Sequence, residues 1–258
     1  MEVVVLGSGS SGNSCLVSVG GKHFLVDAGL SAKQLELRSA AAGVDPADIS
    51  AVFITHEHHD HTSGLKTLLK KRDLTVFCNR ATASALGGSA SFPRALFQIF
   101  ETGATFQFGA LAVRSFSVPH DAVEPVGFRF EDGRACLGVL TDLGYVTRLV
   151  TESLRGVTAL LIEANYDEAL LQQDTKRPWP VKQRIASRHG HLSNRDAAGI
   201  LAALEAPDLE TVVLGHLSRD CNSPELAEFS ARDALQERRP TQVHCACESG
   251  LPGVLRIN

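Results

Sequence analysis

Short apolar runs bounded by Gly or Asp alternate along this chain with stretches of helical spacing. Residues 2–6, 14–19, 23–27 and 51–55 are apolar and rich in β-branched side chains, which predicts strands. Residues 31–42 and 63–71 carry helical spacing, with Leu65, Leu68 and Leu69 on one face. From about 104 to 140 the pattern reads as successive strands, punctuated by turn signals such as Glu131-Asp132-Gly133. Alternation then resumes, with strands predicted over 158–162 and 210–214 and helices over 194–205 and 224–237. Ser223-Pro224-Glu225 is a helix start: a cap, a proline at the first position, then an acid. No linker, charge run, low-complexity tract or short-period repeat interrupts the pattern, so residues 1–258 are read as a single domain. Each half runs from strand-rich to helical. This is compatible with two mixed sheets packed face to face with helices outside, an αββα sandwich of the α/β class.

Composition narrows the class. The chain has 258 residues, enough for a large core, with 44% apolar and 21% charged residues, as in an ordinary globular protein. It holds no run of about 18 apolar residues, so no membrane span or membrane partner is expected. The opening MEVVVLGSGSSG lacks the basic region and apolar length of a secretory signal, and a cytoplasmic location is expected. Six cysteines, scattered at 15, 78, 136, 221, 245 and 247, suit a reducing compartment better than a disulfide framework. A net charge of −4 argues against wholesale coating of nucleic acid but leaves room for a local basic patch.

One motif is a decoy. Gly7-Ser8-Gly9-Ser10-Ser11-Gly12 matches the dinucleotide fingerprint, with Asp27 near the distance of a ribose-binding acid. That fingerprint needs a helix after its glycines, to hold the pyrophosphate. Here Asn13 to Val19 is strand-like. A tight turn between strands is expected instead, or one whose backbone approaches the active site.

The segment Val52 to His61 carries the chemistry. A predicted strand ends at Thr55, a helix is predicted to start near Thr62-Ser63, and His56, Glu57, His58, His59, Asp60 and His61 lie close together between them. Residues two apart in extended chain point the same way, so His56 and His58 can converge on one ion. The following turn can aim Asp60 and His61 at a second. Imidazole and carboxylate suit zinc, manganese or iron. Further ligands are then needed, and three stand at predicted strand ends: His120, Asp142 and His216. Asp27 also ends a strand. It either orients the metal-binding loop by hydrogen bonds or makes an Asx turn into Ala28-Gly29.

THEHHDH, SVPH, LTDLG and LGHLS, in that order and across nearly the whole chain, resemble the motif series of the metallo-β-lactamase superfamily. That resemblance implies an αββα fold and a dinuclear centre. It assigns one metal to His56, His58 and His120, the other to Asp60, His61 and His216, and a bridge to Asp142. The oxygen-reducing di-iron branch usually has Glu where His58 stands, which favours hydrolysis here. GSGSSGNS (from Gly7), LVDAGL (from Leu25), LIEANYD (from Leu161), RPWPVKQ (from Arg177) and GHLSN (from Gly190) resemble the YycJ/WalJ group. That group is regarded as DNA exonuclease-like and related to RNA-processing members. Two positions depart from it: Tyr166, where His is expected, and Cys221, where Asn is expected. They touch the substrate assignment, not the metal set.

The residues point to a phosphodiester on separate grounds. Lys176, Arg177, Lys182, Arg184, Arg188 and Arg195 fall in a stretch without Asp or Glu between Thr175 and Arg195. Trp179 lies among them, as a base-stacking platform or a packing anchor. The charges are either a phosphate-binding face or a solvated helix. Lys182, Arg184, Arg188, Ser193 and Asn194 are the candidate substrate-binding residues, the last two because Ser193-Asn194-Arg195-Asp196 resembles a capping box whose helix N-terminus faces a phosphate. His191 is a candidate proton donor or phosphate ligand. Cys245 and Cys247 beside His244 are read as reduced thiols rather than a third metal site.

The expected protein is therefore a phosphodiesterase with two divalent metal ions, zinc or manganese, with iron as a further option. It acts on nucleic acid, DNA before RNA, and most simply as an exonuclease. Asp60 would orient or deprotonate the nucleophile and His191 would protonate the leaving oxygen. A thioester hydrolase resembling glyoxalase II would share the ligands, but usually has a helical C-terminal domain. Only about forty residues follow His216 here. The sequence leaves exo- versus endonuclease action, polarity, native metal and oligomeric state open.

Overall fold

A computed structural model describes residues 1–88, 96–235 and 241–258. The first seven-stranded sheet contains β1 (Glu2–Gly7), β2 (Ser14–Val19), β3 (Lys22–Val26), β4 (Ile49–Phe53), β5 (Thr75–Asn79), β6 (Leu96–Phe100) and, from the end of the chain, β14 (Leu255–Arg256), in the order β14-β1-β2-β3-β4-β5-β6. The second contains β7 (Thr105–Phe108), β8 (Leu111–Ser117), β9 (Val126–Glu131), β10 (Cys136–Leu140), β11 (Ala159–Glu163), β12 (Thr211–Gly215) and β13 (Gln242–Cys245), in the order β13-β12-β11-β10-β9-β8-β7. The two sheets share one plan. Pairing is antiparallel as far as β3, then parallel from β3 to β6. It is antiparallel from β7 to β10, then parallel from β10 to β13.

Strand alternation sorts side chains into layers. Phe24 and Val26 of β3, Ala51 and Phe53 of β4, Leu137 and Val139 of β10, and Ala159 and Leu161 of β11 meet between the sheets. Their neighbours turn outward. Leu25 and Val52 pack with Leu35, Leu65 and Leu68 of the helices Ala32–Ala41 and Leu65–Lys71. Leu140, Leu160 and Ile162 pack with Val150, Ile200, Leu201 and Ala227 of Arg148–Ser153, Asn194–Ala203 and Pro224–Ala234. Helices thus cover both outer faces, as an αββα sandwich requires. The middle layer is aromatic: Phe53 stacks on Phe77 at 4.5 Å between ring centres and meets Phe130 edge-on at 5.2 Å.

The observed ends of several elements have local causes. β4 stops at Phe53 rather than at Thr55, because the Thr55 amide donates to the Asp27 carboxylate (2.9 Å) instead of to a neighbouring strand. The helix predicted over 194–205 ends at Ala203, with Leu204 extended and buried ahead of Pro207. The helix predicted over 224–237 spans Pro224–Ala234; residues 236 and 237 lie outside the described residues. Among the described residues no helix is long and apolar enough to cross a membrane.

Candidate metal centre

The parallel strands bring several loops to one edge. There Asp27 follows β3, His56 to His61 follow β4, Asp142 follows β10, and His216 follows β12 directly. His120 comes from the β8–β9 connection, and Glu163 is the last residue of β11. Among the described non-glycine residues, Asp27 (φ 61°), Asp142 (φ 49°) and His216 (φ 54°) have left-handed backbone. Each sits where a strand leaves its sheet, and such unfavourable conformations collect at functional sites.

Nitrogen and carboxylate atoms cluster in three overlapping groups, each with its atoms within 4.8 Å: His56, His58 and His120; His56, His61 and Asp142; and Asp142, Glu163, His191 and His216. Asp60 joins the middle of the set, its Oδ2 3.7 Å from His61 Nε2 and 3.6 Å from His216 Nε2. The helical turn His59–Thr62 begins earlier than the sequence suggested, and this turn presents Asp60 and His61 on the same side as the strand-end histidines.

The rings are aimed by their outer nitrogens. His61 Nδ1 donates to Asp27 Oδ2 (2.7 Å), which leaves Nε2 2.8 Å from Asp142 Oδ2. Asp27 also accepts from the Thr55 amide and hydroxyl, so it holds the start of the histidine loop by hydrogen bonds to side chain and backbone. His120 Nδ1 donates to the Gly190 carbonyl (2.9 Å), which leaves its Nε2 facing His58 Nδ1 at 3.3 Å. His216 Nδ1 stands between two acids, against Asp142 Oδ1 and Glu163 Oε1 (3.0 Å). These contacts dictate which nitrogen keeps its lone pair.

The N-terminal glycine run supports the same centre. Its glycines join β1 to β2, with no helix between. Asn13 Nδ2 lies 3.1 Å from His61 Nε2, and the Asn13 amide donates to the Asp60 carbonyl (2.7 Å). Ser8 Oγ accepts from the His216 amide (2.7 Å). Gly29 permits the contact: a Cβ there would lie 1.7 Å from the Asp60 carbonyl oxygen. The run that mimics a nucleotide loop is a backbone support for the histidine loop.

Glu163 escaped the sequence reading. It is fully buried, and its Oε1 accepts from His191 Nδ1 (2.7 Å) and His216 Nδ1 (3.0 Å). Its Oε2 accepts from the amides of Leu143 and Leu192, each at 3.1 Å. The available signal was its strand-end position inside LIEANYD, equivalent to those of the other acids. The His191 ring stands between His120 and His216, with centres at 5.3 and 5.1 Å.

Protonation follows from burial and neighbours. Burial lowers the His56 pKa far below its usual value, reinforced by the adjacent His61. Burial also acts to lower His61, but Asp142 and Asp27 outweigh it and hold the pKa well above the usual value. His216 behaves likewise, pushed up to about 10 chiefly by Asp142 against burial. Burial opposes ionisation of Asp142 and Glu163, yet His216 and His61 for the first, and His191 for the second, keep both pKa values low. The donor set fits a cation. His56 Nε2 is buried without a hydrogen-bond partner, and the facing nitrogens of His58 and His120 cannot satisfy each other and a third group. A metal ion shared by these lone pairs resolves both.

The basic stretch is less bare than its sequence. Arg177 pairs with Asp174 (3.0 Å) and Asp220 (3.1 Å), and Lys176 pairs with Asp220. Arg184 donates to Asp121 (2.6 Å), and Arg195 pairs with Glu168. Arg188 lies over the Tyr145 ring at 4.3 Å. Lys182 donates to the Gln172 carbonyl (2.8 Å). The Ser193 hydroxyl caps its helix at the Asp196 amide (3.1 Å), and Asn194 exchanges two hydrogen bonds with Asn222, each at 2.8 Å. These last two residues are therefore committed to holding the His191 turn. Cys245 ends β13 and Cys247 lies beyond it; neither joins a ligand cluster among the described residues.

Comparison with known proteins gives three findings. A family described as a beta-lactamase superfamily domain matches residues 22–217. Exodeoxyribonuclease YycJ of Bacillus anthracis is 38% identical over 235 residues, covering 91% of this chain and 89% of the relative; exodeoxyribonuclease WalJ of Streptococcus pneumoniae (strain D39) is 37% identical over 236 residues, covering 90% and 87%. The crystal structure of the metallo-β-lactamase fold protein YhfI from Bacillus subtilis superposes with a TM-score of 0.76 at 19% identity, over 98% of both chains.

Proposed function

This chain belongs to the β-lactamase superfamily, whose fold and metal-dependent hydrolytic chemistry it shares, and we propose that it is a dinuclear phosphodiesterase that degrades DNA as an exonuclease. The observation that supports the reading is that Asp142 Oδ2 lies 2.8, 3.4 and 3.9 Å from nitrogens of His61, His56 and His120, with His58 grouped beside the last two, while Asp60 Oδ2 lies 3.7 and 3.6 Å from His61 and His216. The reading sorts these as His56, His58 and His120 for one ion and Asp60, His61 and His216 for the other. These two sets would each hold a divalent ion, zinc or manganese, with Asp142 between them. Such ions supply Lewis acidity toward a phosphoryl oxygen and lower the pKa of water. DNA is preferred because two relatives covering nine-tenths of the chain bear the name exodeoxyribonuclease.

The chain's own residues then have distinct tasks. Asp60, with its carboxylate 22% exposed, reaches solvent from the floor of the site and can orient a water and accept its proton. His191 is held through Nδ1 by Glu163, so its other nitrogen is the one available to the leaving oxygen. Glu163 does not touch substrate. It fixes the tautomer of His191 and shares the Nδ1–H of His216 with Asp142. Arg184 and Arg188, on the segment that leads to His191, serve the phosphate backbone, Lys182 meets the strand from the neighbouring cavity, and Ser193 and Asn194 shape the turn. A cytoplasmic location belongs to the same reading.

The test is the purified protein with manganese or zinc against end-labelled single- and double-stranded DNA and RNA, with a thioester as control. Stepwise release of nucleotides from one DNA end, abolished with loss of metal by His58→Ala, is expected. Thioester cleavage without nucleic-acid cleavage would overturn the proposal, and faster RNA than DNA cleavage would move it to an RNA-processing nuclease.

A further inference from the structure

Beside the His191 turn lies a cavity of about 580 Å³, lined in part by Tyr166, Leu171, Trp179, Lys182, Gln183 and Arg195. Its backbone is continuous with the metal centre. Tyr166 lies three residues beyond Glu163 and Arg195 four beyond His191, and the two segments are bridged at Tyr166 and Ser193. Three extended residues span roughly 10 Å. At about 3.4 Å of rise per stacked nucleotide, the cavity lies within about three nucleotides of a phosphodiester held at the centre. It is reached along the chain from His191 and Glu163, hence on the side assigned to the leaving oxygen.

Its chemistry is that of a slot for a flat neutral ring. Trp179, the chain's one tryptophan, is 63% exposed on the helix Trp179–Ile185. An indole left at the surface beside a cavity is a stacking platform without its partner. The floor is apolar: Tyr166, Leu171 and Cys221 form their own buried cluster, with Ile185 packed against it. The charges at the rim balance, Lys182 and Arg195 standing with Glu168 and Asp196, and Arg195 pairs directly with Glu168. A phosphate would seek free cations. Balanced ones leave a neutral slot with hydrogen-bonding edges, such as the Gln183 amide, suited to a base.

We propose that this cavity is a nucleobase subsite on the leaving-oxygen side of the centre, in which Trp179 stacks on a base of the bound strand. The proposal deepens the nuclease reading and rests on it for the position of the scissile phosphate.

The single tryptophan makes the test direct. The metal-loaded protein is titrated with a cleavage-resistant phosphorothioate oligothymidylate and with the same backbone lacking bases. Quenching of tryptophan emission by the first and not by the second is expected. Trp179→Ala should raise KM for an oligodeoxynucleotide by about five- to a hundred-fold, with metal content and hydrolysis of bis(p-nitrophenyl) phosphate unchanged; Trp179→Phe should recover most of the loss. A single abasic nucleotide on the leaving side of the cut should erase the difference between wild type and Trp179→Ala, whereas one on the other side should preserve it. Equal quenching by both backbones, or a KM within twofold of wild type while the protein still degrades DNA, would overturn the subsite. A wild type that cleaves no nucleic acid would overturn the nuclease reading instead, and the emission titration would still decide whether the cavity takes a base.

Discussion

Replacing Glu163 by Gln keeps the size of a fully buried side chain and changes only its charge and one of its two acceptors. The carboxylate now accepts from four donors: His191 and His216 at Oε1, and the Leu143 and Leu192 amides at Oε2. An amide has one oxygen and one NH₂, so one pair of donors must face another donor. The backbone amides cannot change, whereas the rings can. The amide oxygen therefore goes to the backbone and the NH₂ faces both rings; His191 moves its proton from Nδ1 to Nε2, whereas His216 keeps its Nδ1–H on the Asp142 carboxylate and loses one of its two acceptors. That step turns the free nitrogen of His191 into an N–H that no carboxylate supports and sets an amide N–H against the His216 ring. Exchanging two charge-assisted hydrogen bonds for neutral ones costs about 1–3 kcal/mol in all. The larger effect falls on the site. Loss of a ligand-orienting partner lowers metal affinity by roughly 10–100-fold, and loss of a tuned proton donor lowers kcat by roughly 10²- to 10⁴-fold. The assay is metal per chain after dialysis against buffered zinc, with kcat on an oligodeoxynucleotide at saturating metal and a thermal melt to confirm folding. A folded Glu163→Gln protein with metal affinity and kcat both within about threefold of wild type would refute this account of Glu163.

Three further outcomes follow from the same geometry. Gly29→Ala places a Cβ 1.7 Å from the Asp60 carbonyl and 2.6 Å from the Asn13 nitrogen, both backbone atoms, so the loops must part; a loss of about 3 kcal/mol in a denaturant melt, with loss of bound metal, is expected, and a wild-type melt would contradict it. Charge reversal at Arg184 and Arg188 should weaken DNA binding and reduce the slope of log K against log salt by up to about two, while thioester turnover stays unchanged; an unaltered slope would exclude this face from backbone contact. Metal-free protein should hold a second ring proton on His216, whose pKa is raised to about 10, and His61 is raised in the same direction, so zinc added at pH 8 in weak buffer should release at least one proton per chain. The raised values also mean that these protonated rings stabilise the metal-free fold fully below their ordinary range and progressively less as pH climbs through the folded values. Zinc uptake without proton release would show the rings neutral beforehand.

The cluster of candidate ligands was legible because most of it is local. Strand alternation and a tight turn place His56, His58, Asp60 and His61, and the remaining candidates stand at ends of apolar runs that the sequence displays. The layered fold was legible for the same reason, as period-2 runs alternating with helical spacing. Several short helices were not: Arg80–Ala85, Arg148–Ser153, Glu168–Gln173 and Trp179–Ile185 span six or seven residues and lack the leucine face that revealed Leu65–Lys71. The pairing of the basic stretch was hidden for a different reason. The acid-free stretch from Lys176 to Arg195 draws its counter-ions from Asp121, Glu168, Asp174 and Asp220, and sequence distance hides that pairing. Glu163 was hidden likewise, since its meaning lies in touching both His191 and His216, 28 and 53 residues away.

The position of the centre has a topological cause. In each sheet one strand is antiparallel to one neighbour and parallel to the other: β3 between β2 and β4, β10 between β9 and β11. At such a switch the carboxyl end of the strand lies beside the amino end of its antiparallel neighbour, so the loops entering β2 and β9 and those leaving β3 and β10 gather at one edge. Asp27 leaves the first switch strand and Asp142 the second; both are buried, and both have left-handed backbone. Their carboxylates meet at one ring. His61 gives Nδ1 to Asp27 at 2.7 Å and turns Nε2 to Asp142 at 2.8 Å, so a single imidazole spans the switch points of the two sheets. Without a cation, a proton on His61 balances the two carboxylates. With one, the ring's Nε2 and Asp142 are already set toward a common point, and Asp27 sits behind the ring to keep it there. A divalent ion would thus bind at the seam between the sheets and couple their packing to the geometry of the reacting groups.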